Sequence, residues 1–543
     1  MKTYTRQFLV AMALLATLTA VAKPKQSLDD QIRQKMRAAT EFMMDKVSYN
    51  GGFVWSYLPD FSRQWGEMEA KRTMVWIQPP GTPSVGHLLL DAYHATGDEY
   101  YYEQAERVAS TLVWGQLDCG GWNYVFDFAG ENSLKEWYAT VGKGGWRLEE
   151  FQHYYGNATF DDGGTMEAAN FLLRIYVEKR DPKWRPALDK VIRFVLDSQY
   201  PIGGWPQRYP LRESHPTAMG EDYTSFITLN DDVIPANIEF LTHCYQALGM
   251  QELKEPIYRA MYLIITLQQG APFAGWADQY TVSDLKPAHA RTYEPRSINV
   301  GSTMRCIRLL MHYYLMTGDT RFLNGIPAAL DFLDTLALPE DIVRRSGYEK
   351  RRPLMEGSFL TPLFIHPETG APLYVHRIGS NVYNGRYVIN QVPEETISHY
   401  GSFVAVDTKM MREQFEAVKR IPSDSLKQNT PFLHTGLVEL PKYFKKPSRR
   451  WNEPPIDYSA EGVRRILAAL NKDNCWLTPL SSTSNPYRPC PDTTPSSETK
   501  YGTTFVGDEY DTSPHPCTTG ELCISVKTYI ENMARLIAYL EEN

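Results

Sequence analysis

One block of sequence recurs along the first two-thirds of the chain, and it restricts the fold more than any other feature. Gly86 opens GHLLLDAYHATGDEYYYEQAERVASTLVWGQLDCGGW, which ends at Trp122; Thr165 opens TMEAANFLLRIYVEKRDPKWRPALDKVIRFVLDSQYPIGGW, which ends at Trp205. Asp98 and Asp181 each stand 24 residues before their Trp, and Gln116 and Gln199 each stand six before it. A third copy runs from Val233 to Trp276, a fourth starts at Met304, and a half-copy ends at Trp55. Each unit reads as an apolar helix, a TGD or KRD turn, a more polar helix and a Gly-rich loop. Apolar spacing at i, i+3 and i+4, as in Leu89, Ala92 and Tyr93, gives each helix one buried stripe. A lone hairpin cannot bury its faces, so neighbouring hairpins must stack.

Stacking can yield a straight solenoid or a closed ring. The Trp-rich loops favour the ring: an all-α fold, an α/α toroid, with inner helices forming a barrel and the GGW loops gathered at one end. The expected division is 1–22 as signal peptide, 23–340 as the toroid and catalytic region, 341–455 as an irregular, strand-containing segment bordering the cleft, and 456–543 as closing helices with a Cys-rich loop. The segment 341–455 is rich in Pro, Gly, Arg and β-branched residues, with extended runs at APLYVHRI and RYVIN.

Lys2 and Arg6 precede an apolar run from Phe8 to Leu18 and the small residues Ala20-Val21-Ala22. That order is the layout of a secretory leader, and the run is short for a membrane span. The expectation is a secreted or periplasmic protein, a monomer with no membrane span after cleavage. Cys119, Cys244 and Cys306 read as buried thiols, whereas Cys475, Cys490, Cys517 and Cys523 crowd the Pro/Ser/Thr-rich tail. In an exported chain these four suggest two disulfides, with three possible pairings. Zinc is the rival reading, weakened by the lack of a CxxC pair. A formal net charge of −8 argues against nucleic acid as a partner. The 34 Tyr and 12 Trp suit a cleft in which sugar rings stack, as well as a core.

Three segments carry more chemistry than a helix bundle requires. FDDGGT places Asp161, Asp162, Gly163, Gly164 and Thr165 at the head of a helix, and ITLNDD places Asn230, Asp231 and Asp232 at the head of the next repeat's helix. Either alone reads as an N-cap. Together at one end of a barrel, their carboxylates would repel unless a cation or a shared proton intervened, and hard oxygen ligands suit Ca²⁺. The third segment, DLKPAHARTYEPRSI, crowds Lys286, His289, Arg291, Glu294 and Arg296 before the fourth hairpin. Arginine suits planar recognition of a carboxylate.

The strings GGWPQRYP (203–210), TLNDD (228–232) and GWADQYTVSDLKPAHARTYEPRSI (275–298) closely resemble the pectic acid lyases of polysaccharide lyase family 10 and their broader relatives. The resemblance runs from about residue 50 to 335 and implies an α/α toroid, Ca²⁺ as cofactor, and β-elimination of a 4-linked uronan such as polygalacturonate. It implies Asp161, Asp162 and Asp231 as metal ligands and Arg291 as the base. It further implies Asn230, Asp232, Trp205, Arg208, Lys286, Tyr293 and Arg296 as substrate contacts. PLFIHPETGAPLY (362–374) resembles a later family segment, which adds Arg377 and Arg386. The chain departs from the family with DDGG in place of DNGA and with a longer region after 341. Because arginine normally stays protonated, Lys286, His289 or Tyr293 are alternative bases. Three other readings compete: a glycoside hydrolase pairing Asp161 or Asp162 with Asp231 or Asp232, a terpene-cyclase-like repeat, for which a D-x-D-D string is missing, and a non-catalytic glycan-binding relative.

Overall fold

The structure is a computed structural model that describes residues 27–144, 148–217, 220–346, 348–351, 353–378, 386–393, 401–433, 435–436, 458–480 and 521–542. The leader-like segment lies outside these residues. Outer and inner helices alternate along the chain, and each hairpin of the repeat forms where an inner helix turns into the next outer one. Outer helix α1 (Leu28–Phe42) leads to inner α2 (Thr82–Thr96), outer α3 (Glu99–Gly115) to inner α4 (Gly164–Lys179), and outer α5 (Arg185–Ser198) to inner α6 (Val233–Leu248). Outer α7 (Lys254–Thr266) leads to inner α8 (Val300–Thr317), and outer α9 (Ile326–Asp334) to a further helix, α10 (Thr408–Lys419). Last, α11 (Ala460–Ala468) packs on α12 (Val526–Glu542), and α12 packs on α2, so the end of the helical series meets its beginning. The chain is an α/α toroid with strands in its C-terminal region.

The repeated residues are joints of this ring. In the TGD turns, Gly97 and Gly318 take left-handed φ values of 68° to end the inner helices, and Arg180 takes that place in KRD at 53°. The Asp that follows caps the outer segment: Asp98, Asp181 and Asp319 accept from the backbone N–H of Tyr100, Lys183 and Arg321 at 2.9–3.0 Å. Gln116 donates to its own loop at Gly120 O and to Ala187 O of the next outer helix (2.8 and 3.0 Å). Gln199 repeats the clasp on Gly203 O and Pro256 O, both at 3.0 Å, and Gln268 on Ala274 O and Gly325 O. Gly203 is required where it stands: φ is +115°, and a Cβ would lie 2.6 Å from Arg259 O.

The Trp of each loop is a peg between outer helix and rim. The indole N–H of Trp122, Trp205 and Trp276 donates to Leu112 O, Val195 O and Ile264 O at 2.7–2.8 Å. Trp476 does the same to Ile466 O at 2.9 Å, which extends the repeat into the C-terminal hairpin. Short antiparallel ladders then stitch each loop to the next: Thr159 opposes Arg208, and Thr228 opposes Gln279. The segment after 341 adds a sheet in which Ile298–Asn299, Phe364–Ile365, Pro372–Ile378 and Arg386–Asn390 lie in that order. Helix α10 in this segment departs from the irregular, extended reading of 341–455.

Cys475 and Cys523 are buried free thiols, so the expected clamp finds no support at these two positions; Cys490 and Cys517 lie outside the described residues. Cys244 and Cys306 are buried thiols as expected, and Cys119 is half-buried. Among the described residues, no helix is long and apolar enough to cross a membrane.

Candidate metal and uronate site

The two Asx-rich segments fold into the same turn. A two-residue strand leads into Phe160 or Leu229, then a single tight turn spans Asp161–Gly163 or Asn230–Asp232 and enters α4 or α6. Asp162 (φ 49°, ψ 32°) and Asp231 (φ 51°, ψ 31°) occupy equivalent left-handed positions. Left-handed backbone disfavours most side chains, and Asn and Asp tolerate it best. The next position, also left-handed, is Gly163 in one turn and Asp232 in the other.

The turns touch, and they bring carboxylate oxygens of Asp161, Asp162 and Asp231 within 4.8 Å of one another. Gln78 from the first repeat donates to Asp162 Oδ2 at 2.7 Å, and the Tyr124 hydroxyl donates to Asp161 Oδ2. Asn230 donates its amide N–H to Asp231 Oδ2, while its own Oδ1 is buried with no hydrogen-bond partner among the described residues. Burial, and then the charges of Asp161 and Asp162, push the Asp231 carboxyl well above its ordinary range; Arg291 opposes them. The donors are therefore three clustered carboxylates, hard ligands of the kind Ca²⁺ takes. The residues fit that ion.

Arg291 lies behind the trio, 1 % exposed. Its Nη2 donates to Asp161 Oδ2 at 2.8 Å and to Glu150 Oε1, its Nε to Glu150 Oε1 at 2.8 Å, and its Nη1 to Glu294 Oε1 at 2.9 Å. Glu294 also accepts from the Arg291 backbone N–H at 3.0 Å. Burial pushes the Glu294 carboxyl up, and the Arg291 charge opposes that shift. Arg291, expected as the base, is thus sealed from solvent among three carboxylates and fixes Asp161 from behind.

Other expected contacts are placed as follows. Trp205 is 0 % exposed and is the peg described above, so it offers no stacking face to a sugar. Arg208 is buried, donates to Asn123 Oδ1 at 3.1 Å, and lies over the rings of Tyr124 and Tyr155. Tyr293 is buried against Phe364 and Val375. Lys286 is exposed and paired with Asp284 at 2.8 Å; Arg296 is half-exposed and paired with Glu368. His289 faces the backbone of Glu221, 3.0 Å away. Arg377 and Arg386 fall on adjacent rungs of the Pro372–Ile378 and Arg386–Asn390 ladder, and their side chains lie outside the described structure. The residues that sequence reasoning missed are Gln78, Tyr124 and Glu150. Gln78 and Tyr124 come from loops before other helices, and Glu150 from the short helix Leu148–Gln152.

Beside the trio opens a cavity of about 910 Å³. Asp162, Asp231 and Asp232 line it together with Glu167 and Arg174 on α4, Glu239 and His243 on α6, Arg305 on α8, and His87 on α2. Arg174 is tied to Asp91 and, at 3.1 Å, to His87 O. Of the expected substrate contacts among the described residues, Asp232 alone faces this space.

The sequence model of pectic acid lyases matches residues 137–403. No curated protein matches the chain. The solved structure of a family 10 polysaccharide lyase from Cellvibrio cellulosa is similar at 16 % identity and a TM-score of 0.40, over 62 % of this chain and 97 % of that one. A mutant of that lyase in complex with trigalaturonic acid gives 16 % and 0.39, over 61 % and 97 %. An alpha-1,6-mannanase from Salegentibacter gives 11 % and 0.35, over 95 % and 100 %. The matched segment contains the acidic trio, Glu150 and Arg291, and over it the chain resembles the pectic acid lyases.

Proposed function

We propose that the protein is a polysaccharide lyase that cleaves a 4-linked uronan, such as polygalacturonate, by calcium-assisted β-elimination. The observation that carries this reading is the convergence of Asp161, Asp162 and Asp231 from two consecutive repeats, within 4.8 Å, beside an open cavity. Calcium held there would supply Lewis-acid polarisation of the uronate carboxylate, which acidifies the C5 proton. The chain's own residues set up that step. Arg291, Tyr124 and Gln78 hold the carboxylates in one arrangement, so little reorganisation accompanies binding. The proton acceptor must face the substrate, and beside the trio the cavity wall offers Glu167 and Asp232. The leader-like run from Phe8 to Leu18 supports export to where such polymers occur.

A glycoside hydrolase would need one carboxyl group each side of a glycosidic bond, at least about 5 Å apart. The three carboxylates of the trio instead converge on one point, which supports the cation reading.

The raised Asp231 pKa supplies the test. Without metal the cluster retains a proton that an isolated Asp would lose, and a divalent cation must displace it. Calcium affinity should therefore rise with pH up to the Asp231 pKa and level off above it. Calorimetric titration of calcium in buffers of different ionisation enthalpy should show proton release in the lower range. An affinity independent of pH, with no proton released, contradicts the assignment of the trio as the metal site.

A further inference from the structure

The cavity beside the trio is a well along the barrel axis. Gly163, just before α4, and Arg174 on α4 both line it, as do Asp232, just before α6, and His243 on α6, and each pair is eleven residues apart. At 1.5 Å of rise per residue the wall runs about 16 Å down from the rim. Its charge is mostly negative: Asp162, Glu167, Asp231, Asp232 and Glu239 face two guanidinium groups, Arg174 and Arg305. A polyanion entering such a space is repelled unless each carboxylate it brings meets a cation.

Arg174 is not available for that purpose, because Asp91 and the His87 carbonyl occupy it near the far end. Arg305 differs. It stands on α8 near the rim, its side chain 39 % exposed, with Nε 3.6 Å from Oδ1 of Asp232. It makes no hydrogen bond among the described residues, and its Nη1 is buried without a partner. An arginine has five N–H donors in a planar fork suited to a carboxylate, and here none is used. Asp232 is itself 67 % exposed, so the contact between the two is loose and easily displaced.

We infer that Arg305 is the residue that recognises a uronate carboxylate in the axial well and so sets the preference for a free acid over its ester. This rests on the uronan reading above. The fork accepts the carboxylate of the ring next to the metal-bound one, and Asp232 steers Arg305 in the empty well. Arg305 and not Arg291 is then the arginine that touches substrate.

Binding of a uronate trisaccharide and of its methyl ester, each measured with calcium, tests the inference. In the unaltered protein the acid should bind more tightly. Arg305→Gln should weaken the acid by about tenfold or more while leaving the ester unchanged, and Arg305→Lys should recover part of the loss. A structural role would weaken both ligands together, so an equal loss overturns the inference, as does an unchanged affinity for the acid. If the unaltered protein binds neither ligand and forms no unsaturated product from any uronan, the lyase reading falls as well. If product forms and only the Arg305→Gln result is flat, that reading stands and this inference alone fails.

Discussion

Arg291→Met should destabilise the fold by about 3–5 kcal/mol, the cost of leaving buried charge without its partner. The side chain is 1 % exposed and neutralises Glu150, Asp161 and Glu294. Methionine fills much of the same volume but donates nothing. Denaturant unfolding measures the effect. The distinguishing result is how far it reverses at low pH, where protonating the stranded carboxyls removes their repulsion. Arg291→Lys should not rescue the loss, since one ammonium cannot serve three carboxylates in the directions that the planar guanidinium serves. A stable Arg291→Met protein with only its activity lost would contradict that structural role and support Arg291 as the base.

Asp231→Asn acts in the opposite sense. It should abolish calcium binding and lower turnover at least about 100-fold, because polarisation by the metal supplies several kcal/mol of the barrier reduction. Yet metal-free stability at neutral pH should rise. The sign follows from linkage: a carboxyl whose folded pKa lies above its unfolded value retains more protons in the folded state. Its contribution to stability is then lost as pH rises through the folded pKa. Asparagine keeps the shape without that penalty. Calcium should stabilise the unaltered protein by about 2.7 kcal/mol at 100 times its dissociation constant, and should leave Asp231→Asn unmoved. Thermal melts of the two proteins, with calcium and with chelator, give all four values.

The ring and the acidic trio were legible because each is written in a repeat. The Asp and Gln at fixed distances before Trp122 and Trp205 are the caps and clasps that join neighbouring hairpins. Two Asx-rich helix starts in consecutive repeats had to meet once the ring closed. Burial was not legible. Arg291 and Trp205 were given roles at the substrate through the resemblance, and both are enclosed. For Trp205 a signal existed: Trp122 and Trp276 hold the same place in loops that lead to other helix starts, which marks the residue as a joint. Glu150 gave none, since it sits on the short helix Leu148–Gln152 between hairpins, outside any period. Helix α10 escaped notice because its buried stripe is only Thr408, Met411 and Phe415. Arg305 was hidden among the apolar residues of RCIRLLMHYY, where the helical register, not a motif, turns it toward the well.

The most direct measurement is to incubate the protein with polygalacturonate and other uronans, with calcium or with chelator, and follow the ultraviolet absorbance of the unsaturated uronate. Unsaturated product that appears with calcium, disappears with chelator and is lost in Asp231→Asn is the predicted result. New reducing ends without that absorbance, or no product on any uronan, would contradict it.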